Sequence, residues 1–233
     1  MENVHAERSA GWSVLCYVAV LIVATSLTNP MPSLAMRPLT TALSIDSHRF
    51  ALLLSAWLSF PAAAFFLWFL VGLRSYLSHA PGRQEGLATF AFGAGIVMIA
   101  TALWSSALLT CAVYFPPDAF KANGLDAVYD AFVFMQSGLG YAPVAIFLFA
   151  AAHSMRRHER APGWLASLGY LAALGAGVAT LSVFFSSDLF MAPGQQGPGL
   201  FGAVPSAVWL IATGVVLIQS NRSGAAASTS GAS

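Results

Sequence analysis

Few side chains within the apolar stretches of this sequence can do chemistry, and Gln136 is the most polar of them. It opens the segment Gln136-Ser137-Gly138-Leu139-Gly140-Tyr141-Ala142-Pro143, where two glycines and a proline loosen a helix and free backbone carbonyls. Trp57 and Ser59 stand just before Pro61 in a comparable setting. Ser105, Ser106, Thr110, Ser186, Ser187 and Trp209 are expected at a similar depth. Such groups can hydrogen-bond neighbouring helices, worth about 0.6 kcal/mol each in a membrane. They can also line an outward-open pocket for a lipid or small hydrophobic ligand. The candidate lining is Gln136, Tyr141, Trp57, Ser105, Ser106 and Ser186, with Asp130 and Asp188 as an acidic mouth favouring neutral or cationic amphiphiles. On an ideal helix Gln136 and Tyr141 point about 140° apart. Facing one cavity therefore requires the 138–143 stretch to be distorted.

Other chemistries find no support. The sequence has no H-E-x-x-H, no G-x-S-x-G, no Walker A lysine loop and no paired Glu suited to a membrane protease. His153 and His158 are five apart, so they do not share a helical face as i,i+4 ligands would. With Arg156, Arg157, Glu159 and Arg160 around them, they read as a snorkelling helix end. No carboxylate occupies the middle of an apolar stretch, which disfavours ion-coupled transport. Cys16 and Cys111 both fall inside apolar runs and suggest neither a disulfide scaffold nor a thiolate metal site. No catalytic residue, cofactor or metal is expected, and a formal charge of +1 gives no reason to propose nucleic acid as a partner.

The elements that position these residues follow from composition. The 233 residues are 58% hydrophobic and only 8% charged, against about a quarter charged in an average soluble domain. A spanning helix needs about 20 apolar residues. Six runs qualify or nearly so, at residues 12–28, 50–73, 87–115, 128–152, 164–186 and 199–219. Helices are expected because hydrocarbon offers no partner to an open backbone N–H or C=O. The prediction is an all-α, six-helix polytopic transmembrane bundle over residues 1–222, with 223–233 a disordered polar tail. The first run follows Glu2, Glu7 and Arg8, not a basic cluster, and reads as an uncleaved helix. Seven Lys and Arg fall at the termini and the even connections, against three (Arg37, Arg49, Lys121) in the opposite loops. That asymmetry places both termini in the cytoplasm of a cell with an inner membrane.

Internal similarity refines this picture. A shift of 81 residues aligns Ala80-Pro81-Gly82 with Ala161-Pro162-Gly163 and Ser105-Ser106 with Ser186-Ser187, with eight identities over positions 80–106. Each even run carries a proline followed by an arginine: Pro61 to Arg74, Pro143 to Arg156 and Pro205 to Arg222. Three antiparallel hairpins, with the even helices bent at their prolines, account for both patterns. Gly169, Ala173 and Gly177 repeat every four residues, as do Ala91 and Gly95, and predict close helix contacts, so that a leucine at 177 should disrupt packing. The first loop, with Pro30, Pro32, Pro38 and the apolar Leu34, Ala35 and Met36, is expected at the membrane interface. The last loop, Ala192 to Gly199, is expected to be a flexible connection.

The Trp57…Pro61 segment, the Arg156-Arg157…Pro162-Gly163-Trp164-Leu165 turn and the small-residue helix after it resemble a group of small polytopic bacterial membrane proteins frequent in actinobacteria. The resemblance covers about residues 50–220 and implies no catalytic residue, because the group has no settled activity. The expected role is a non-catalytic accessory or scaffold subunit that packs on a protein partner in the bilayer. The alternatives are a carrier or sensor of a hydrophobic ligand and, least supported, a membrane enzyme.

Overall fold

A computed structural model describes residues 2–28, 38–78, 85–114, 124–157, 161–186 and 189–230. No strand occurs among them. In chain order the helices are α1 (Glu2–Leu27), α2 (Pro38–Ser47), α3 (Arg49–Ser78), α4 (Glu85–Tyr114), α5 (Gly124–Ser137), α6 (Tyr141–Arg156), α7 (Gly163–Thr180), the single turn α8 (Gln196–Pro198) and α9 (Val204–Ser230). Six segments are long and apolar enough to cross a membrane: Arg8–Leu27, Arg49–Ser78, Glu85–Tyr114, Ala127–Arg156, Gly163–Phe184 and Gln196–Gln219. The chain is a multi-pass, all-α membrane protein. Among the calls that bear on loops, the 29–37 segment, Ser187, Asp188 and His158 lie outside the described residues.

Each span packs on the next in chain order, α1 with α3, α4 with α5 and α6, and α7 with α9 among them. Contacts of α3 with α4 and α6 with α7 continue the series, and contacts of α1 with α9 close it into a ring. Antiparallel pairing is visible in the cross-helix bonds. Ser55 Oγ donates to the carbonyl of Ala24, Ser13 Oγ to that of Phe65, and Trp68 Nε1 to Ser9 Oγ, so α3 numbers rise as α1 numbers fall. One end of the bundle carries Arg8, Arg74, Arg156 and Arg157 and is called the arginine-rich end below.

Aromatic side chains fill the middle of the ring. Phe66 sits 4.7 Å from Tyr17, 5.6 Å from Phe69 and 5.6 Å from Phe147, and Phe147 meets the Trp209 ring edge-on at 5.9 Å. Phe66, Phe69, Phe147 and Trp209 are all fully buried. Offset and edge-to-face pairs of this kind add about 0.5–1.5 kcal/mol each beyond the area they bury. Four helices, α1, α3, α6 and α9, are joined through this column.

Three details differ from the sequence expectation. The fourth span is interrupted outright: α5 stops at Ser137 and α6 starts at Tyr141. Gly138 and Leu139 N–H both donate to the Phe134 carbonyl, and a Cβ at Gly140 would lie 1.9 Å from the Met135 carbonyl oxygen, so only glycine closes the turn. Pro143 and Pro205 accordingly sit in the first turns of α6 and α9, where a missing N–H is tolerated, and only Pro61 lies within a continuous helix. Pro205 deprives the Phe201 carbonyl of its α-helical donor; a π turn, Gly199–Ala203, precedes it, and a Cβ at Gly175 of α7 would approach that oxygen to 2.2 Å. The last loop is folded rather than flexible. Ala192, Pro193, Gly197 and Pro198 are buried, Gly194 adopts φ +79°, and Gly197 N–H bonds the Phe190 carbonyl at 3.1 Å. Finally, α9 continues to Ser230, so most of the polar stretch read as a tail extends the helix, consistent with the high helix propensity of Ala225, Ala226 and Ala227.

Small residues make the tight crossings, though not all those expected. A Cβ at Gly169 would lie 2.7 Å from both Ala152 Cβ and Trp209 Nε1, and one at Gly95 would meet Leu70. Gly11 and Gly214 face each other across α1 and α9. Gly177, by contrast, has no foreign atom within 4 Å of a Cβ position. Two four-residue steps turn an α-helix by about 80°, which carries Gly177 off the face that Gly169 occupies. Gly169→Leu is therefore expected to destabilise by about 1–3 kcal/mol through overpacking, while Gly177→Leu melts like the parent. Thermal unfolding in detergent checks the pair, and the reverse order would contradict this packing.

Candidate functional site

Polar groups in the spans are used first to tie helices together. Trp209 Nε1, fully buried, donates to the Leu165 carbonyl at 3.1 Å, joining α9 to the first turn of α7. His153 Nδ1 bonds Tyr170 Oη at 2.9 Å and stacks on Phe149, joining α6 to α7. The interrupted span is stitched in the same way. Ser182 Oγ donates to the carbonyl of Ser137, which the break has exposed, at 3.3 Å, while Ser137 Oγ donates to Val133 and accepts from Gly194 N–H at 3.1 Å. A Cβ at Gly138 would lie 2.7 Å from Val183 Cγ1, so that glycine lets the 3₁₀ turn Leu181–Phe184 approach the break.

The residues singled out by sequence distribute over this framework. Ser105, buried on α4, donates to Oε1 of the exposed Gln136 at 3.3 Å. Ser106 bonds back to the Ala102 carbonyl on its own helix. Tyr141 is half-buried, with its ring against Gly202. Asp130 is half-buried on α5, Trp57 is exposed on α3, and Ser186 is exposed past the end of the 3₁₀ turn. Gln136 and Ser105 are thus brought together directly, whereas Trp57 and Ser186 lie on other elements. Among the described residues no group of three or more His, Cys, Asp or Glu could hold a metal ion, and Cys16 and Cys111 are free and exposed.

A groove lies elsewhere on the described surface. It measures about 650 Å³ and runs between α4 and α6, lined by Gly86, Thr89, Phe90, Gly93, Ala94 and Val97 on one wall and Pro143 and Ile146 on the other. The α4 positions recur at i, i+3, i+4, i+7, i+8 and i+11, one face of a helix. Gly86 and Gly93 form its floor, since a Cβ at either would meet nothing within 4 Å. Ala91 and Gly95, the small pair that stands out in the sequence, face the bundle, whereas Gly86 and Gly93 lie one helical face away. Their seven-residue spacing together with Pro143 was the available signal.

Comparison with family models, with curated proteins and with solved structures gives no match.

Gln136→Leu removes one interhelical bond and is expected to lower stability by only about 0.6 kcal/mol. Gly140→Ala, which forces a side chain into the Met135 carbonyl, should lower the melting temperature by several degrees more. Equal shifts for the two variants would mean the break is not held by its glycine turn.

Proposed function

We propose that this protein is a non-catalytic component of a bacterial plasma membrane, an accessory or scaffold subunit with both termini cytoplasmic that acts through its perimeter. The observation that carries the reading is the filled centre: Phe66, Phe69, Phe147 and Trp209 occupy the middle of the six-helix ring. The polar side chains that elsewhere would line a substrate path instead bond neighbouring helices, as in Ser105–Gln136 and Trp209–Leu165. What the chain offers to others is its outward surface, where Phe60, Trp104, Leu171 and Val208 are exposed on four different helices. The resemblance to small polytopic membrane proteins of bacteria fits this role. A carrier or sensor of a hydrophobic ligand is the second reading, favoured by the exposed Gln136 and by the apolar groove between α4 and α6.

Photo-crosslinking residues placed one at a time at Phe60, Val97, Leu171 and Val208 in intact cells test the first reading. A discrete protein adduct from one face and none from the others is the expected result. Lipid adducts alone, equal on all four faces, would overturn it.

A further inference from the structure

The groove between α4 and α6 matches one leaflet in length. Along α4 it extends from Gly86 to Val97, eleven residues or about 16 Å at about 1.5 Å per residue. That is about half of a hydrocarbon core roughly 30 Å thick, the depth of one leaflet. A slot of that length, with apolar walls, suits an extended acyl chain reaching in from one leaflet.

Charge fixes which lipid. Gly86 lies in the first turn of α4, so the groove opens at the arginine-rich end and closes at Pro143 near mid-depth. On α6, Arg157 follows Ile146 by eleven residues, about 20° from the same face after three turns. It caps the C-terminus of α6 in a helical conformation and is exposed, as is Arg156 beside it. Basic side chains at the mouth of an intramembrane groove attract anionic headgroups. Arginine also offers a planar donor fork that matches phosphate.

We infer that the α4–α6 groove seats one acyl chain of an anionic phospholipid from the leaflet at the arginine-rich end, with Arg157 engaging the headgroup phosphate. The apolar walls of Phe90, Val97 and Ile146 hold the chain, and the absent side chains of Gly86 and Gly93 give it depth. This site stands independently of the accessory role, since a lipid can occupy it whether or not a protein partner is bound.

The test is native mass spectrometry of the purified full-length chain, delipidated and titrated with phosphatidylglycerol or phosphatidylcholine of identical acyl chains. The parent should retain one phosphatidylglycerol per chain, with about tenfold preference over phosphatidylcholine. Gly93→Phe fills the floor without striking a neighbour, because a Cβ there meets nothing within 4 Å. It should lose retention of both lipids at an unchanged melting temperature. Arg157→Gln should reduce the headgroup preference to less than about threefold while phosphatidylcholine binding persists. Ile146→Trp, from the opposite wall, repeats the filling should Gly93→Phe fold poorly. Equal retention of the two lipids by the parent would overturn the proposal. So would unchanged retention in both filled variants, or conversion of a dimer to a monomer by Gly93→Phe with lipid binding intact.

Discussion

Hydrocarbon accepts no hydrogen bonds, and the whole architecture follows from meeting that condition with very few polar residues. A continuous helix satisfies its own backbone, so the first three spans need only packing and a handful of cross-bonds such as Ser55 to Ala24. Where the chain departs from the α-helix, at residues 138–140, 181–184 and 199–203, carbonyls lose their donors and a neighbour must replace them. Ser182 serves the carbonyl of Ser137, and Gly194 N–H is held by the Ser137 hydroxyl. The break, the 3₁₀ turn and the last loop meet through these bonds, and Gly202 of the π turn packs against the Tyr141 ring. Irregular backbone at membrane depth is tolerated where protein covers it, and the buried loop at Ala192, Pro193, Gly197 and Pro198 supplies that cover.

Packing completes what hydrogen bonding begins. Between helices in lipid there is little hydrophobic driving force, so association depends on close approach and van der Waals contact. Gly169 admits the Trp209 ring, Trp209 reaches Phe147, and Phe147 reaches Phe66, a chain of contacts running from α7 through α9 and α6 to α3. Gly11 and Gly214 seal the ring between the first and last spans. The consequence for function is that the centre is occupied. One outward feature is the slot along α4, where a Cβ at either of the exposed Gly86 and Gly93 would meet nothing within 4 Å.

The coarse fold was legible because long apolar runs admit few alternatives in a bilayer. All six spans and the distortion at residues 138–143 followed from hydropathy and from the clustering of Gly138, Gly140 and Pro143. Which faces met was much less legible. A four-residue repeat pointed to Gly177, yet the helix turns that residue to open space, and nothing local in the sequence pairs Gly11 with Gly214, about two hundred positions away. The last loop read as flexible because its glycines and prolines signal turns, and turn composition does not reveal burial. Among the candidate site residues, Ser105 and Gln136 come together because their helices form one hairpin. Trp57 lies on α3 and Ser186 beyond the end of α7, and their azimuth around the bundle was not readable in the sequence.

The central claim is that the ring interior is closed by side chains rather than filled by water. In a background where Cys16 and Cys111 are replaced by alanine, a cysteine at Ala151, fully buried on α6 among the core residues, reports this directly. A membrane-impermeant maleimide applied to either side of sealed vesicles should leave Ala151→Cys unlabelled until the protein is denatured. Rapid labelling of the native protein from either side would show a water-filled interior and contradict the account.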